Sequence, residues 1–178
     1  MYTWSRKSHR LTLCLLTGVI CAVICGCEPS KPIKIPQTVM DNIAQKSSSL
    51  DFDTYEGFRD WYRIPLRYPY QIFMIDSLSD GYLEQLEKGS NVQDGSGSSI
   101  CHDITRLWPQ KDFCCFYVSK DSTEDYAGKY GYFAYSTGEL KFFPNETALM
   151  EELKKVGITG PAEFYTLDVL FKYFSHMH

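Results

Sequence analysis

The chain has 178 residues, with 18 Lys and Arg against 22 Asp and Glu and a formal net charge of −4. This length is enough for one globular domain with a core of its own. The acidic balance argues against nucleic acid as a partner, because a protein binds a polyanion through a positively charged face.

The first 27 residues have the composition of an export signal. Arg6, Lys7 and Arg10 precede an uncharged run of 16 residues, 11–26, which ends directly before Cys27. A basic patch followed by a short apolar run and a small residue is typical of a secretory signal peptide. A membrane-spanning helix needs about 20 apolar residues, so an uncleaved membrane anchor is the less favoured alternative.

This segment resembles the signal of bacterial lipoproteins. Ile24 stands at its aliphatic first position, Gly26 at its small third position and Cys27 at the end, whereas Cys25 departs from the usual second residue. The resemblance implies that Cys27 is diacylated on sulfur, with fatty acids such as palmitate, and becomes the mature N-terminus. It also implies an outer membrane location facing the periplasm, because Glu28 replaces the Asp that commonly retains such proteins in the plasma membrane. A secretory peptide cleaved elsewhere, which releases a soluble protein, remains the other alternative.

The resemblance divides the chain into a signal peptide (1–26), a lipidated cysteine with a flexible tether (27–50) and a single globular domain (51–178). The tether is polar and contains three prolines, with a short helix predicted over 38–46. The signal contains three basic residues and no acidic one, so the mature chain has 15 Lys and Arg against 22 Asp and Glu, a net charge of −7. This charge suits a basic partner protein, although moderate acidity also keeps a surface protein soluble.

Aromatic residues open the globular domain at helical spacing. Phe52, Tyr55, Phe58 and Tyr62 recur every three or four residues, and Pro65 follows them. This pattern predicts an N-terminal amphipathic helix with an aromatic face. Further along, residues 70–75 predict a strand, 80–88 a helix and 91–99 an exposed loop rich in glycine and serine.

Two hairpins are predicted in the middle of the domain. Segments 100–107 and 113–118 form the first. Segments 130–135 and 140–143 form the second, in which Gly138 can supply the positive φ of a tight turn.

Two helices are predicted at the C-terminal end. Asn145 can cap the first, which Gly157 ends, and Pro161 suits the first turn of the second. The predicted fold class is therefore α+β, a mainly antiparallel sheet of about four to five strands with an N-terminal aromatic helix and two C-terminal helices.

Three cysteines remain once Cys27 is acylated. Cys101, Cys114 and Cys115 are an odd number, so at most one internal disulfide can form. Cys114 and Cys115 are neighbours in a predicted strand and point to opposite faces, so only one of them can face Cys101. Buried free thiols that pack as small hydrophobic groups are the competing interpretation.

A contiguous Cys101-His102-Asp103 is a poor catalytic triad, because a strand sends His102 to the face opposite the other two. A Cys–His pair made across strands with Cys114 or Cys115 stays geometrically open. His102 shares its face with two isoleucines, which favours a hydrogen-bonded histidine at the edge of a core.

No metal or cofactor is predicted. The carboxylates of Asp76, Asp80, Glu84 and Glu87 follow part of the spacing of a calcium loop, but Leu78 replaces the ligand at its third position. The mature chain lacks the paired Cys or His spacing of a zinc site. The sequence also predicts no catalytic residue, and ordinary surface carboxylates explain the acidic positions equally well.

The preferred functional interpretation is a lipid-anchored, non-enzymatic module that binds a protein or a glycan. Tyr130, Tyr132 and Tyr135 straddle the second hairpin, and an outward tyrosine face is a common contact surface. Two alternatives stay open. One is a small acidic inhibitor or immunity protein against a basic toxin or hydrolase, and the other is an envelope enzyme of the Cys–His type.

Overall fold

A computed structural model describes residues 61–86 and 97–175, with side chains as far as residue 173. The signal peptide, Cys27, the tether and the first three aromatic residues of the predicted N-terminal helix lie outside these residues. The described chain forms one antiparallel sheet and two short helices.

The sheet contains eight strands, seven of which are neighbours in sequence order. They are β1 (Trp61–Pro65), β2 (Tyr70–Ile75), β3 (Gly81–Leu86), β4 (Gly97–Pro109), β5 (Phe113–Val118), β6 (Tyr130–Ala134) and β7 (Leu140–Phe143). Helix α1 (Glu146–Lys155) follows, then the short strand β8 (Tyr165–Thr166) and helix α2 (Leu167–Ser175). β8 pairs antiparallel with β4, with Tyr165 opposite Leu107.

The sheet is curved, and β4 lies at its centre with three partners, β3, β5 and β8. The first part of β4 pairs with β3 as far as Ile104, and its second part pairs with β5, with register shifts in both ladders. The curvature brings distant strands together: the ring of Tyr70 in β2 lies 4.9 Å from that of Phe133 in β6. At the same end, the guanidinium of Arg67 is 2.9 Å from the carboxylate of Asp112.

The concave face of the sheet holds the main core. Alternate residues of β1, β2 and β5 point into it, as the two-residue period of a strand requires. The irregular strand β4 instead contributes Cys101, Ile104 and Leu107, at intervals of three. The most fully buried side chains of this core include Ile64, Ile72, Met74, Leu83, Leu107, Phe116 and Phe133. Each stabilises the fold by about 1.5–3 kcal/mol relative to exposure. Helix α2 covers this core with Leu167, Leu170 and Phe171.

A smaller cluster lies on the convex face. Trp108, Phe113 and Cys115 pack there against Leu149 and Leu153 of α1. The helix begins where the sequence predicts, because the Asn145 side chain accepts a hydrogen bond from the Ala148 amide at 2.9 Å. Gly157, at φ +87°, follows its last turn.

The predicted fold class is wrong in two respects. The sheet has eight strands rather than four or five, and the segment that was expected to end an N-terminal helix is a strand. Tyr62 lies in β1 opposite Met74, and its ring meets Phe171 of α2 edge-on at 5.2 Å. The helix predicted from the spacing of the aromatic residues is therefore wrong at Tyr62, where burial between the sheet and α2 stabilises a strand.

The prediction of a helix over 80–88 is also wrong, because β3 occupies most of that segment. Leu83 points into the concave core, yet Glu84 and Leu86 are buried as well. Burial of neighbouring residues hides the alternation that would identify a strand, and the register shifts around Leu83 disturb it further.

The second predicted hairpin is confirmed, with β6 and β7 flanking a turn in which Gly138 has φ +68°. The loop predicted over 91–99 ends earlier, since Gly97 already belongs to β4. Within the described part of the chain, no helix is long and apolar enough to cross a membrane.

Candidate functional site

An open pocket of about 450 Å³ lies among the β2–β3 turn, an irregular part of β4 and the β5–β6 loop. The described residues that line it are all polar: Asp80, Asp103, Ser119, Asp121, Ser122 and Thr123. Three carboxylates and three hydroxyls therefore share one concave surface, which we call the acidic pocket.

The β2–β3 turn fixes Asp80 in this pocket. Ser77 accepts a hydrogen bond from the Ser79 amide at 3.0 Å, and Ser79 donates its hydroxyl to the Asp80 carboxylate at 2.9 Å. Short hydroxyl side chains favour turns because they bind nearby backbone groups in this way. β3 begins directly after Asp80, and the pairing of Gly81 with Ile104 holds the turn beside β4.

Asp103 enters the pocket through an unusual backbone conformation. Its φ is +58°, a left-handed value that Asp tolerates better than most residues. Its carbonyl accepts a hydrogen bond from the Ser119 amide at 2.8 Å. Its carboxylate accepts the Ser122 hydroxyl at 2.6 Å, which joins β4 to the β5–β6 loop.

The β5–β6 loop is held by its own hydroxyls. Ser119 accepts a hydrogen bond from the Asp121 amide at 3.1 Å, and Ser122 accepts one from the Glu124 amide at 3.2 Å. Gly128, at φ +70°, donates its amide to the Ser119 carbonyl and closes the loop. The side chain of Asp121 remains exposed at the pocket mouth.

The carboxylates of the acidic pocket have no cationic partner in the described residues. The ion pairs found there involve Arg67, Lys141, Lys155 and Lys172, and none includes Asp80, Asp103 or Asp121. Three negative charges that form no ion pair with the described residues attract a cationic group from outside. Carboxylate and hydroxyl oxygens can also accept hydrogen bonds from an ammonium or a guanidinium.

The three predicted cysteines are buried free thiols in the structure. Cys101 and Cys114 belong to the concave core, whereas Cys115 lies in the convex cluster. Burial raises the pKa of the Cys101 and Cys114 thiols to about 12 and that of Cys115 well above its ordinary value. The residues directly opposite them are Leu83, Pro109, Phe133, Trp108 and Tyr132, so no cysteine faces another across a ladder. The predicted disulfide is not formed here and stays a prediction.

His102 is exposed, and its ring does not approach the Cys101 thiol. Its Nε2 lies 2.9 Å from the Ser99 hydroxyl, and its ring is 5.6 Å from that of Tyr82. Cys101 points to the opposite side and donates its thiol to the His102 carbonyl at 3.6 Å, so these two residues meet only through the backbone. A catalytic thiol must be accessible to its substrate and have a lowered pKa, whereas Cys101 is buried and its pKa is raised.

The tyrosines of the second hairpin serve mainly in packing. Tyr135 is 6% exposed and belongs to the concave core. Tyr130 and Tyr132 face outward but pack in the convex cluster with Leu149 and Leu153 of α1. The helix thus covers much of the face that the sequence suggested as a contact surface.

A buried polar group lies on the convex face of β1, β2 and β3. Arg63 is 1% exposed, Gln71 1% and Glu84 2%. Gln71 donates a hydrogen bond from its amide to the Glu84 carboxylate. Burial raises the pKa of Glu84, while the hydrogen bond and the charge of Arg63 lower it in part. In the sequence, Glu84 stands out only through the partial spacing of a calcium loop. That spacing does not indicate that Glu84 lies beside Arg63 and Gln71.

Within residues 61–86 and 97–173, no group of His, Cys, Asp and Glu side chains is arranged to hold a metal ion. Asp76, Asp80 and Glu84 do not form a calcium loop, because Glu84 lies within β3 and its carboxylate is buried with Gln71. Sequence reasoning missed Asp121 and Ser122 entirely. The serine and acidic composition of the β5–β6 loop was the only available signal for them.

Comparison with known proteins gives no relative. No family model, no curated protein and no solved structure matches the chain.

Proposed function

We propose that the protein is a lipid-anchored, non-enzymatic binding module of the bacterial envelope, which holds a basic partner protein at its acidic pocket. The N-terminal segment supports the anchor, because Cys27 follows a basic patch, a short apolar run and Gly26. Glu28 favours the outer membrane over the plasma membrane. The acidic domain would then work at the surface of that membrane.

The acidic pocket is the observation that carries this proposal. Asp80, Asp103 and Asp121 converge there from three separate chain segments and form no ion pair with the described residues. Like charges repel, so gathering them lowers the stability of the isolated domain by a small amount. A lysine or arginine side chain of a partner would remove that repulsion and gain charge-assisted hydrogen bonds.

The pocket lining favours a protein cation over a glycan or an apolar ligand. Its volume of about 450 Å³ falls in the usual range for ligand pockets, but such pockets are mostly lined by hydrophobic and aromatic side chains. Every described side chain that lines this pocket is polar. The tyrosines that could have offered a stacking surface to a sugar, Tyr130 and Tyr132, pack against α1 instead.

An inhibitor or immunity protein against a basic toxin or hydrolase is the second candidate. The same pocket favours it, because a cationic side chain of an enzyme held there would tie that enzyme to the membrane surface. The candidates differ in their effect on the partner. An inhibitor abolishes the partner's activity on binding, whereas a simple binding module leaves it intact.

The Cys–His enzyme is the least supported candidate. The Cys101 thiol is fully buried with its pKa raised to about 12, and the His102 ring lies on the other side of the strand. Cys114 and Cys115 are equally buried and have raised pKa values as well. A nucleophilic thiol requires the opposite environment.

The decisive experiment is a titration of the mature protein, in mild detergent, with a pentalysine peptide and with a pentaglutamate peptide. We expect saturable binding of pentalysine only, weakened by added salt. The double variant Asp80→Asn/Asp121→Asn should bind about tenfold more weakly. Glu151→Gln/Glu163→Gln is a matched control, since it removes the same charge from exposed positions outside the pocket. Equal weakening in both double variants, or no binding by the wild type, would refute the acidic pocket as the site.

A further inference from the structure

Arg106 is held in a fixed position on the convex face by three aromatic rings. Its guanidinium carbon lies 4.3 Å from the ring centroid of Tyr117, 5.7 Å from that of Tyr130 and 5.8 Å from that of Phe164. One terminal N–H also donates to the Tyr130 hydroxyl at 3.2 Å. The planar cation is therefore oriented before any ligand arrives.

The charge of Arg106 is not neutralised by a direct ion pair. No carboxylate of the described residues lies within 4.0 Å of its guanidinium nitrogens. The rings attract the cation through their quadrupoles but leave its net charge unchanged. Apart from the Tyr130 bond, the side chain makes no further hydrogen bond within the described chain, and the residue is partly exposed. Its remaining donors that face solvent can therefore bind a ligand.

Glu146 is the acidic group connected to this cation. The Tyr130 hydroxyl accepts from Arg106 and donates to the Glu146 carboxylate at 3.4 Å. Glu146 is therefore linked to Arg106 through Tyr130 rather than by direct contact. Its negative charge repels an anion that approaches Arg106.

We propose that Arg106, with Tyr117, Tyr130 and Phe164 around it, forms a binding site for a single carboxylate group, such as the C-terminal carboxylate of a peptide. A planar guanidinium binds a carboxylate through two parallel hydrogen bonds, which a lysine cannot reproduce. The net charge of −7 for the predicted mature chain disfavours polyanions, so the ligand carries one carboxylate rather than a chain of phosphates. This site is separate from the acidic pocket, since the two share no residue.

Titration of the mature protein with N-acetyl-alanyl-alanine tests this site, and the C-terminal amide of the same dipeptide is the matched control ligand. NMR chemical shifts of the Arg106 Nε–H group report binding directly. We expect saturable, millimolar binding of the free acid and none of the amide. The Asp80→Asn/Asp121→Asn variant should bind the acid as the wild type does, so a failure of the acidic pocket and a failure of this site are distinguishable.

Variants separate recognition by Arg106 from a general effect of charge. Arg106→Lys keeps the charge but should weaken binding by about tenfold. Arg67→Lys, a partly exposed arginine paired with Asp112, should not change it. Glu146→Gln should strengthen binding. Absence of a shift at Arg106 in the wild type, equal binding of acid and amide, or unchanged binding by Arg106→Lys would each overturn the proposal; the first two need no variant to fold.

Discussion

Ser122 donates its hydroxyl to the carboxylate of Asp103 at 2.6 Å, and this bond joins the β5–β6 loop to a residue of β4 with φ +58°. Asp103 contributes in two ways: its backbone tolerates the left-handed conformation, and its short acidic side chain accepts the hydrogen bond. The wall of the acidic pocket depends on both.

Substitutions at Asp103 should separate these two features. Asp103→Asn keeps a residue that tolerates positive φ and should lower the free energy of unfolding by about 1 kcal/mol through the weakened hydrogen bond. Asp103→Val adds a β-branched side chain at that φ and should cost about 1–3 kcal/mol more. Urea denaturation measures both. Equal losses in the two variants would show that the backbone conformation of Asp103 is not constrained.

Gly131 allows Phe116 to fill the core across the β5–β6 ladder. The two residues are directly opposite, and a Cβ at Gly131 would lie 2.2 Å from the Phe116 ring. Because Phe116 is fully buried, the ring cannot move aside easily. We expect Gly131→Ala to lower the free energy of unfolding by about 1–3 kcal/mol.

Gly160 provides the control for this substitution. A Cβ there meets nothing within 4 Å, and Gly160 is not among the glycines with positive φ. Gly160→Ala should therefore be neutral or slightly stabilising, because it restricts the unfolded chain. If thermal unfolding shows the same midpoint for both variants, the close approach of Gly131 and Phe116 is not real.

Glu84 should make stability depend on pH. Burial raises the pKa of this carboxyl in the folded protein, so the folded chain binds more protons than the unfolded chain above the ordinary glutamate value of about 4.3. Its contribution to the free energy of unfolding is complete below that value and declines as pH rises through the raised pKa. Denaturant unfolding at a series of pH values should show this decline.

The Glu84→Gln variant isolates that effect. It keeps the shape of the side chain and its place beside Gln71, but it cannot titrate. Its stability should decline less with pH across the same window than that of the wild type. Parallel curves for the two proteins would mean that the folded state does not perturb Glu84.

The buried thiols should resist alkylation. Cys101, Cys114 and Cys115 are inaccessible and have raised pKa values, whereas iodoacetamide reacts with an accessible thiolate. Native protein should stay unlabelled at these positions near neutral pH, and denaturation without reductant should expose all three. Peptide mapping of the segment 101–115 distinguishes the outcomes. A single labelled cysteine after denaturation would indicate the disulfide that the structure does not contain.

Local features were predicted well where the chain itself carries the physical cause. Gly138 permits its turn, and the Asn145 side chain satisfies a helix amide, so the second hairpin and the start of α1 are visible in the sequence. Tyr62 and the β3 segment were assigned wrongly because their conformation depends on distant partners. Met74 and Phe171 surround Tyr62, and the β2 and β4 ladders enclose β3.

The acidic pocket could not be predicted from spacing. Asp80 and Asp121 are far apart in the chain and line the same pocket only because β4 pairs with both β3 and β5. The position of Asp103 depends on a single backbone angle that no sequence pattern specifies. What the sequence did indicate was the excess of acidic residues, which favours the basic partner proposed above.

The proposal that the acidic pocket binds its partner at a membrane surface requires a lipid attached to Cys27. Intact-mass measurement of the protein purified from its native host tests this most directly. The account predicts a chain that begins at Cys27 and carries covalently bound fatty acids. A chain that retains Met1, or one with an unmodified Cys27, would contradict it.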